Sequence, residues 1–181
     1  MALLRWTLAL AGLLVAGRGA AQAARASEYQ VKAVFLFNFA QFVDWPAEAF
    51  PDSDAPLVIG VLGIDPFGGA LDQTVRDERL GGRPFQVRRY QSVDEITTCH
   101  ILFISRSEGG RPEAILAGLR HRPILTVSDA DGFAERGGMI RFVTDRNRIR
   151  LQLNLAAAEA AHLTISSKLL RVAEVITRTR S

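Results

Sequence analysis

Three continuous apolar runs constrain the fold of this chain more than any other feature. They are LVIGVLG (57–63), HILFIS (100–105) and PILTVS (123–128). Each run is rich in Val, Ile and Leu and is short, which is typical of a strand buried on both faces. Because such strands occur almost only in parallel sheets that are covered by helices on both sides, the runs predict an α/β domain.

The segments between and after these runs predict the remaining elements. The predicted elements are a turn and short helix in DPFGGALDQTV (65–75), a strand in PFQVRRY (84–90), a short amphipathic helix in EAILAGLR (113–120), and helical structure over 154–178 with a break at 163–166. GMIRFV and RIRLQL flank the polar turn TDRN, which predicts a hairpin. We therefore expect a single domain with a mixed, mostly parallel sheet, helices on both faces, and a C-terminal β-hairpin plus helices.

Residues 1–26 have the three parts of a secretory signal peptide. Arg5 supplies the positive start, residues 8–16 form a short apolar run, and Ala21-Gln22-Ala23 and Ala24-Arg25-Ala26 are two possible cleavage sites. The pattern predicts export, cleavage near Ala23 or Ala26, and a mature domain of residues 27–181. An uncleaved N-terminal anchor is the alternative.

Export changes the charge of the chain and the partners that it favours. The formal charge is +3, and removal of Arg5, Arg18 and Arg25 with the leader takes it to 0. A near-neutral domain has little electrostatic attraction to DNA or to anionic lipid. We therefore expect no nucleic-acid partner and no polybasic membrane patch.

The stretch VFLFNFAQFVDWP (34–46) is unusually aromatic and predicts a helix over residues 28–44, which ends at Trp45-Pro46. Helical spacing places Val31, Val34 and Phe35 near one apolar face and Lys32 away from it. Polar residues interrupt the run, and it is too short to cross a membrane. We expect a helix that lies on the sheet with its phenylalanines buried, or alternatively one with a partly exposed surface for a partner.

No motif in the chain predicts catalysis. The turn GVLGIDPFGG lacks the dinucleotide pattern and the P-loop pattern, so its glycines predict tight turns, with an anion site formed by Gly63, Asp65 and Gly68 as the alternative. Arg148 and Arg150 alternate with apolar residues, which predicts a solvated strand face or, alternatively, a site for an anion or an acidic partner.

The remaining chemistry-bearing residues predict structural roles. Ser166 before Lys168 predicts a helix N-cap rather than a serine–lysine pair. Asp129-Ala130-Asp131-Gly132 lacks the ligands of a calcium loop and predicts a polar turn. Cys99 is the only cysteine, so it predicts a buried thiol, and His100 beside a buried strand predicts a satisfied structural side chain. We expect no metal and no cofactor.

Several stretches together resemble the YfiR-like family of exported bacterial proteins over residues 29–173. They are YQVKAVFLFNFAQFVDWP, VLGIDPFGGALD, CHILFIS, PILTVSD, GFAERGGMIRFV and NRIRLQLNLAAAEAAHLTISSKLLRVA. No single motif is decisive, but their order and spacing are specific.

The resemblance implies a periplasmic repressor that binds the periplasmic sensor domain of an inner-membrane diguanylate cyclase and holds it inactive. Release would raise cyclic di-GMP and promote biofilm. The resemblance also implies that the protein is not an enzyme and that it forms a homodimer. Some members of the family carry disulfides, and Cys99 matches a family cysteine but has no partner in this chain.

Binding to a membrane sensor requires an exposed surface, for which the aromatic helix and the C-terminal helix are the candidates. Their candidate residues are Phe37, Trp45, Leu169, Leu170, Val172, Val175 and Ile176. A periplasmic small-ligand-binding protein with a different membrane partner is the alternative function. An envelope enzyme is a third, but it would need a nucleophile–base pair, which the sequence does not show.

Overall fold

A computed structural model describes residues 4–146 and 148–176, and the side chains of residues 21–146 and 148–176. The helices are α1 (Leu4–Phe39), α2 (Ala70–Val75), α3 (Pro112–Gly118), α4 (Leu155–Ala160) and α5 (Ser167–Leu170). The strands are β1 (Val43–Asp44), β2 (Leu57–Leu62), β3 (Arg79–Leu80), β4 (Arg83–Tyr90), β5 (Ile101–Ile104), β6 (Leu125–Ser128), β7 (Ile140–Asp145), β8 (Arg148–Leu153), β9 (Thr164–Ile165) and β10 (Ala173–Val175).

Eight of the strands form one mixed sheet in the order β10-β8-β7-β6-β5-β2-β4-β3. Strands β4, β2, β5, β6 and β7 are parallel, while β8 is antiparallel to β7 and completes the predicted hairpin. β1 and β9 form a separate antiparallel pair. The α/β class, the mostly parallel mixed sheet and the C-terminal hairpin are confirmed.

Helices cover both faces of the sheet, as the apolar runs predicted. The side chains of β2, β5 and β6 that point to one face, such as Ile59, Phe103 and Val127, pack with buried residues of α1, α2, α4 and α5. On the other face, Leu102 and Ile104 pack with residues of α3. All residues of β2, β5 and β6 are buried, which explains their continuous apolar sequence.

The aromatic segment is a helix on the sheet, as predicted, but its buried face differs from the predicted one. The side chains of Lys32, Leu36 and Phe39 are buried, whereas Val31 and Val34 are exposed. The helix ends at Phe39, and the chain then turns into β1, so the last predicted helical residues leave the helical register. The buried face therefore includes Lys32, whose ion pair is described below.

The C-terminal segment is only partly helical. α4, the break and α5 occur where helical structure and its interruption were predicted, and the side chain of Ser166 accepts a hydrogen bond from the backbone N–H of Lys168, which confirms the N-cap. Residues 173–175, however, form β10, which pairs in parallel with β8. Within residues 4–146 and 148–176, no helix combines the length and the apolar character needed to cross a membrane.

Candidate functional site

The glycine-rich turn after β2 is held together by side chains of its own region. The Oδ1 of Asp65 accepts a hydrogen bond from the backbone N–H of Phe67 at 2.7 Å, and its Oδ2 accepts one from Nε of Arg89 at 2.9 Å. Arg89 also donates to both carboxylate oxygens of Asp72. Gly63 has φ +86 and Gly68 has φ +56, so both adopt a backbone conformation that favours glycine. These contacts explain the turn without a bound anion.

The structure does not bring the two halves of the predicted anion site together. Arg148 and Arg150 are exposed on β8, and three strands, β7, β6 and β5, separate β8 from β2 and its glycine turn. Nη2 of Arg150 lies 3.5 Å from a carboxylate oxygen of Asp145 in the hairpin. Any anion that contacted the arginine strand would therefore be far from Gly63.

The predicted partner-binding residues lie in separate parts of the fold. The ring of Phe37 packs 5.0 Å from that of Phe85 in β4, and β4 is separated from β10 by five strands. Nε1 of Trp45 donates to the backbone oxygen of His100 at 3.2 Å. Of the C-terminal candidates, Leu169 is buried in the core, Leu170 and Ile176 are half-buried, and Val172 and Val175 are exposed.

A cleft of about 780 Å³ opens at the carboxyl ends of the parallel strands. The chain runs from β2 outward to β4 and then returns to β5 on the other side of β2, so the winding of the sheet reverses there. Ligands of doubly wound sheets bind at this switch point. The lining residues are Gln22, Arg25, Ala26, Glu28, Tyr29, Ile64, Pro66, Ser105, Arg106, Ser107, Asp129 and Thr144.

A buried network of charged side chains forms the floor of the cleft. The Oδ2 of Asp129, directly after β6, accepts hydrogen bonds from Nζ of Lys32 at 2.6 Å and from the hydroxyl of Tyr29 at 2.7 Å. The same Nζ lies 2.5 Å from Oε1 of Glu28, which also accepts a hydrogen bond from Thr144. Lys32 and Asp129 are both at least 99% buried, so a full ion pair joins α1 to the sheet in the interior.

The surroundings of these groups shift their proton affinities in different directions. Burial raises the pKa of Asp129, but the hydrogen bond and charge of Lys32 and the hydrogen bond of Tyr29 lower it, and the net pKa lies below its ordinary value. The pKa of Glu28 is also lowered, because hydrogen bonds from Lys32 and Thr144 outweigh burial. Burial and the neighbouring carboxylate of Asp129 raise the pKa of Tyr29. Both acids are therefore ionised and Tyr29 is neutral at neutral pH.

The loops after β2 and β5 form the rim of the cleft and are joined directly. The backbone N–H of Ile64 donates to Oγ of Ser107 at 3.0 Å. Beside it, Nε of Arg106 donates to the main-chain oxygen of Asp129 at 3.1 Å. The side chain of Arg106 is 60% exposed and extends over the floor. The cleft thus has an exposed cationic rim above a buried ionic floor.

The opposite end of the sheet holds a buried titratable ring, His100. Its Nδ1 accepts a hydrogen bond from the backbone N–H of Val58 at 3.0 Å, so its Nε2, 3.1 Å from the carbonyl oxygen of Ala49, carries the proton and donates. Burial lowers the pKa of His100 to about 4. The ring stacks on Phe50 with centroids 4.3 Å apart. The predicted structural role of His100 is confirmed.

Cys99, next to His100, is buried as predicted. Its thiol lies 3.2 Å from the carbonyl oxygen of Ile101, and burial raises the pKa of the thiol to about 12. A buried thiol with so little thiolate at neutral pH is a poor nucleophile. Cys99 therefore serves as a small apolar side chain.

Sequence reasoning missed the residues of the cleft floor. The sequence predicts a polar turn at Asp129, although its position directly after a buried strand is a signal for the carboxyl edge of a parallel sheet. Helical spacing predicts that Lys32 lies away from the apolar face of its helix, whereas its side chain is buried. Within the part of the chain that the structure describes, no three His, Cys, Asp or Glu side chains come together as a metal ion would need.

A comparison with models of protein families identifies one for this chain. The model described as YfiR/HmsC-like matches residues 29–174. The match begins at Tyr29, in the cleft wall, and extends through the sheet to Glu174 in β10. No curated protein matches the chain at a significant level.

Proposed function

The chain belongs to the YfiR/HmsC-like family, and from that premise we propose that it is an exported periplasmic regulator. It binds the periplasmic sensor domain of an inner-membrane diguanylate cyclase and represses it, which lowers cyclic di-GMP and biofilm formation. The observation that carries this proposal is the family match, which covers most of the chain. The resemblance of its sequence motifs to exported repressors supports the same function.

Repression of this kind needs binding and no chemistry. A protein that prefers the inactive conformation of its partner shifts the partner toward that conformation. A shift from almost all active to almost all inactive needs a preference of about 5.5 kcal/mol. The family to which the chain belongs is regulatory rather than catalytic, so we propose that the protein is not an enzyme.

The C-terminal edge of the sheet is the surface that we propose for the partner. β10 is the outermost strand on its side of the described sheet, so the outer backbone groups of residues 173–175 face away from β8. Val172 is 70% exposed and Val175 is 46% exposed. An open strand edge with adjacent apolar side chains is suited to pairing with an extended segment of another protein.

Substitution of Val175 by Asp tests this surface. We expect Val175→Asp to weaken recovery of the membrane cyclase in a pull-down by at least about tenfold, because a charge would replace an apolar contact. Val31→Asp is the matched control, because Val31 is also 46% exposed but lies on α1. Equal recovery by Val175→Asp and the wild type would remove β10 from the proposal.

The function itself is tested by deletion of the gene. Deletion is expected to raise cyclic di-GMP in the cell, and the wild-type protein is expected to recover a diguanylate cyclase from solubilised membranes. Unchanged cyclic di-GMP together with no recovered cyclase would contradict the proposal.

Export and dimerisation are separate parts of the proposal. We propose that residues 1–26 are a signal peptide and that residues 27–181 form the mature domain. Mass spectrometry of the periplasmic protein should then give an N-terminus at Ala24 or Ser27. Sedimentation of that protein should show a homodimer, and an intact chain in the cytosol would contradict export.

A further inference from the structure

The cleft at the carboxyl edge of the sheet contains an acceptor without a donor. The Oδ1 of Asp129 is buried and has no hydrogen-bond partner among the described residues, although Oδ2 of the same carboxylate has two. Nε of Arg106 lies 3.2 Å from Oδ1, but its hydrogen bond goes to the main-chain oxygen of Asp129. Oδ1 is therefore stabilised by the charge of Arg106 but accepts no hydrogen bond, so it can accept one from a ligand.

The same part of the cleft contains donors without an acceptor. Nε of Arg106 is engaged, but neither of its terminal amino groups makes a hydrogen bond within the described residues. A guanidinium presents its terminal N–H groups as a planar fork that matches a carboxylate. The free donors and the unpaired acceptor Oδ1 of Asp129 are neighbours, because Nε of Arg106 is 3.2 Å from that oxygen.

The net charge of the cleft indicates the net charge of a ligand that would bind there. Arg25, Lys32 and Arg106 are cationic, whereas Glu28 and Asp129 are the two acids, so the cleft has one uncompensated positive charge. Cleavage after Ala26 would remove Arg25 but place the α-ammonium group of the new N-terminus at the same end of α1. Because Nζ of Lys32 already lies within 2.6 Å of both acids, a metal cation would have to displace it.

From this geometry we infer that the cleft binds a small 2-hydroxycarboxylate. The carboxylate of the ligand accepts from the terminal amino groups of Arg106, and the adjacent hydroxyl donates to Oδ1 of Asp129 after the exposed Arg106 side chain moves aside. The single negative charge of the ligand balances the cleft. The cleft has a volume of about 780 Å³ with Gln22, Arg25 and Ala26 in its wall, which is within the range of small-molecule sites, and removal of these leader residues would leave it more open. It therefore also accommodates a larger group on the same acid.

Lactate and propionate are the matched probes, because propionate has the same carbon skeleton and charge but no hydroxyl. We expect lactate to bind the purified mature protein at least about tenfold more tightly than propionate in calorimetry, which is the effect of one hydrogen bond to a charged group. Amide shifts of Ile64 and Ser107 in NMR spectra should report the same binding. These residues join the two loops of the rim.

Arg106→Gln tests the cation without disturbing the buried floor, because Arg106 is 60% exposed. It should reduce lactate affinity at least about tenfold. Arg120→Gln, at an exposed position just after α3, should leave the affinity unchanged. Equal affinities for lactate and propionate, no binding of either at ~10 mM, or unchanged affinity in Arg106→Gln would each overturn the inference.

This inference does not depend on the proposed repression of a cyclase. Calorimetry uses the purified chain alone, whereas the pull-down uses membranes without added lactate. Ligand binding without a recovered cyclase would therefore contradict only the proposed function, and the reverse result would contradict only the cleft inference.

Discussion

The two ends of the sheet solve the burial of polar groups in opposite ways. At the carboxyl end, Lys32 and Asp129 are buried as ions, and one carboxylate oxygen lacks a donor. At the amino end, His100 is buried as a neutral ring with both nitrogens hydrogen-bonded. The hydrogen bonds of the neutral end are complete, and the His100 ring stacks on Phe50 and meets the Trp45 ring edge to face. The charged end is unsatisfied and lies beside an open cleft.

This difference indicates which end is available for a ligand. A satisfied neutral group gains nothing from a further hydrogen bond, so the region of His100 contributes to stability alone. An unsatisfied buried acceptor destabilises the unliganded protein, and a ligand that donates a hydrogen bond to it removes this penalty. The comparison predicts that the two ends respond differently to substitution and to pH.

Removal of the cation at the charged end should have the largest effect. Lys32→Met leaves the carboxylate of Asp129 buried with only Tyr29 and the nearby Arg106 to stabilise it. We expect the free energy of unfolding to fall by about 3–5 kcal/mol, because the loss of one partner of a buried ion pair strands the other. Urea denaturation followed by circular dichroism measures this change.

A double substitution distinguishes two effects on stability: the loss of the ion pair and the burial of a carboxylate that has lost its cation. Lys32→Met with Asp129→Leu removes both ions and should recover most of the lost stability, since an apolar pair of similar volume often replaces a buried ion pair without loss. A double variant that is as unstable as Lys32→Met would show that the pair itself, and not the stranded carboxylate, supplies the stability.

The neutral end should dominate the response to mild acid. The pKa of His100 is about 4 in the folded protein and lies below its ordinary value of 6.5. Between these values the unfolded chain binds a proton and the folded chain does not, so stability is complete above pH 6.5 and decreases as the pH falls toward 4. The expected loss is about 3 kcal/mol at pH 4, measured by urea denaturation at several pH values.

His100→Gln is the control for this pH response, because glutamine offers one acceptor and one donor without titrating. Its stability should change little between pH 6.5 and 5. The pKa values of Asp129 and Glu28 are lowered from ordinary values of 3.8 and 4.5, so their stabilisation is present above those values and is lost in stronger acid. An unchanged pH slope in His100→Gln would assign the acid response to other groups.

Gly60 in β2 tests how closely the side chains beside the neutral end of the sheet are packed. A Cβ on Gly60 would lie 2.7 Å from Cε2 of Tyr90 and 2.9 Å from Sγ of Cys99. Gly60→Ala is expected to lower the free energy of unfolding by about 1–3 kcal/mol through overpacking. Gly69→Ala is the control, because its Cβ would meet only Nε2 of Gln73, at 3.6 Å. Equal stability of Gly60→Ala and wild type in urea would contradict close packing.

The strands that are buried on both faces were predictable from the sequence, because burial on both sides leaves a continuous apolar run. The two-residue strands β1 and β9 were not, because each exists only through its pairing with the other, a distant segment. β3 is also too short to leave a pattern, although it pairs with the adjacent β4. The sequence predicts a helix instead of β10, because the strand forms only by pairing with another segment. Its residues continue an apolar pattern, and its strand conformation depends on β8.

The candidate site was less predictable than the fold. Lys32 and Asp129 are 97 residues apart in the sequence, and only the folded sheet shows that they form an ion pair. Taken separately, one is a charged residue in an apolar helix and the other is the first residue of an acidic turn. The position of the cleft, in contrast, follows from the strand order, since the switch point is a property of topology.

At the charged end, the smallest loss of stability is expected from substitution of an exposed residue. Thr144 is exposed, and its hydroxyl donates to Oε1 of Glu28, the same carboxylate that Lys32 contacts. Thr144→Val removes this hydrogen bond at nearly constant volume, and we expect a loss of less than about 1 kcal/mol in urea denaturation, because water replaces the donor. Lys32→Met also removes a donor from Glu28, but the Lys32 side chain is fully buried, so water cannot take its place. A loss in Thr144→Val as large as that in Lys32→Met would mean that contact with Glu28, rather than burial beside Asp129, determines the stability of this end.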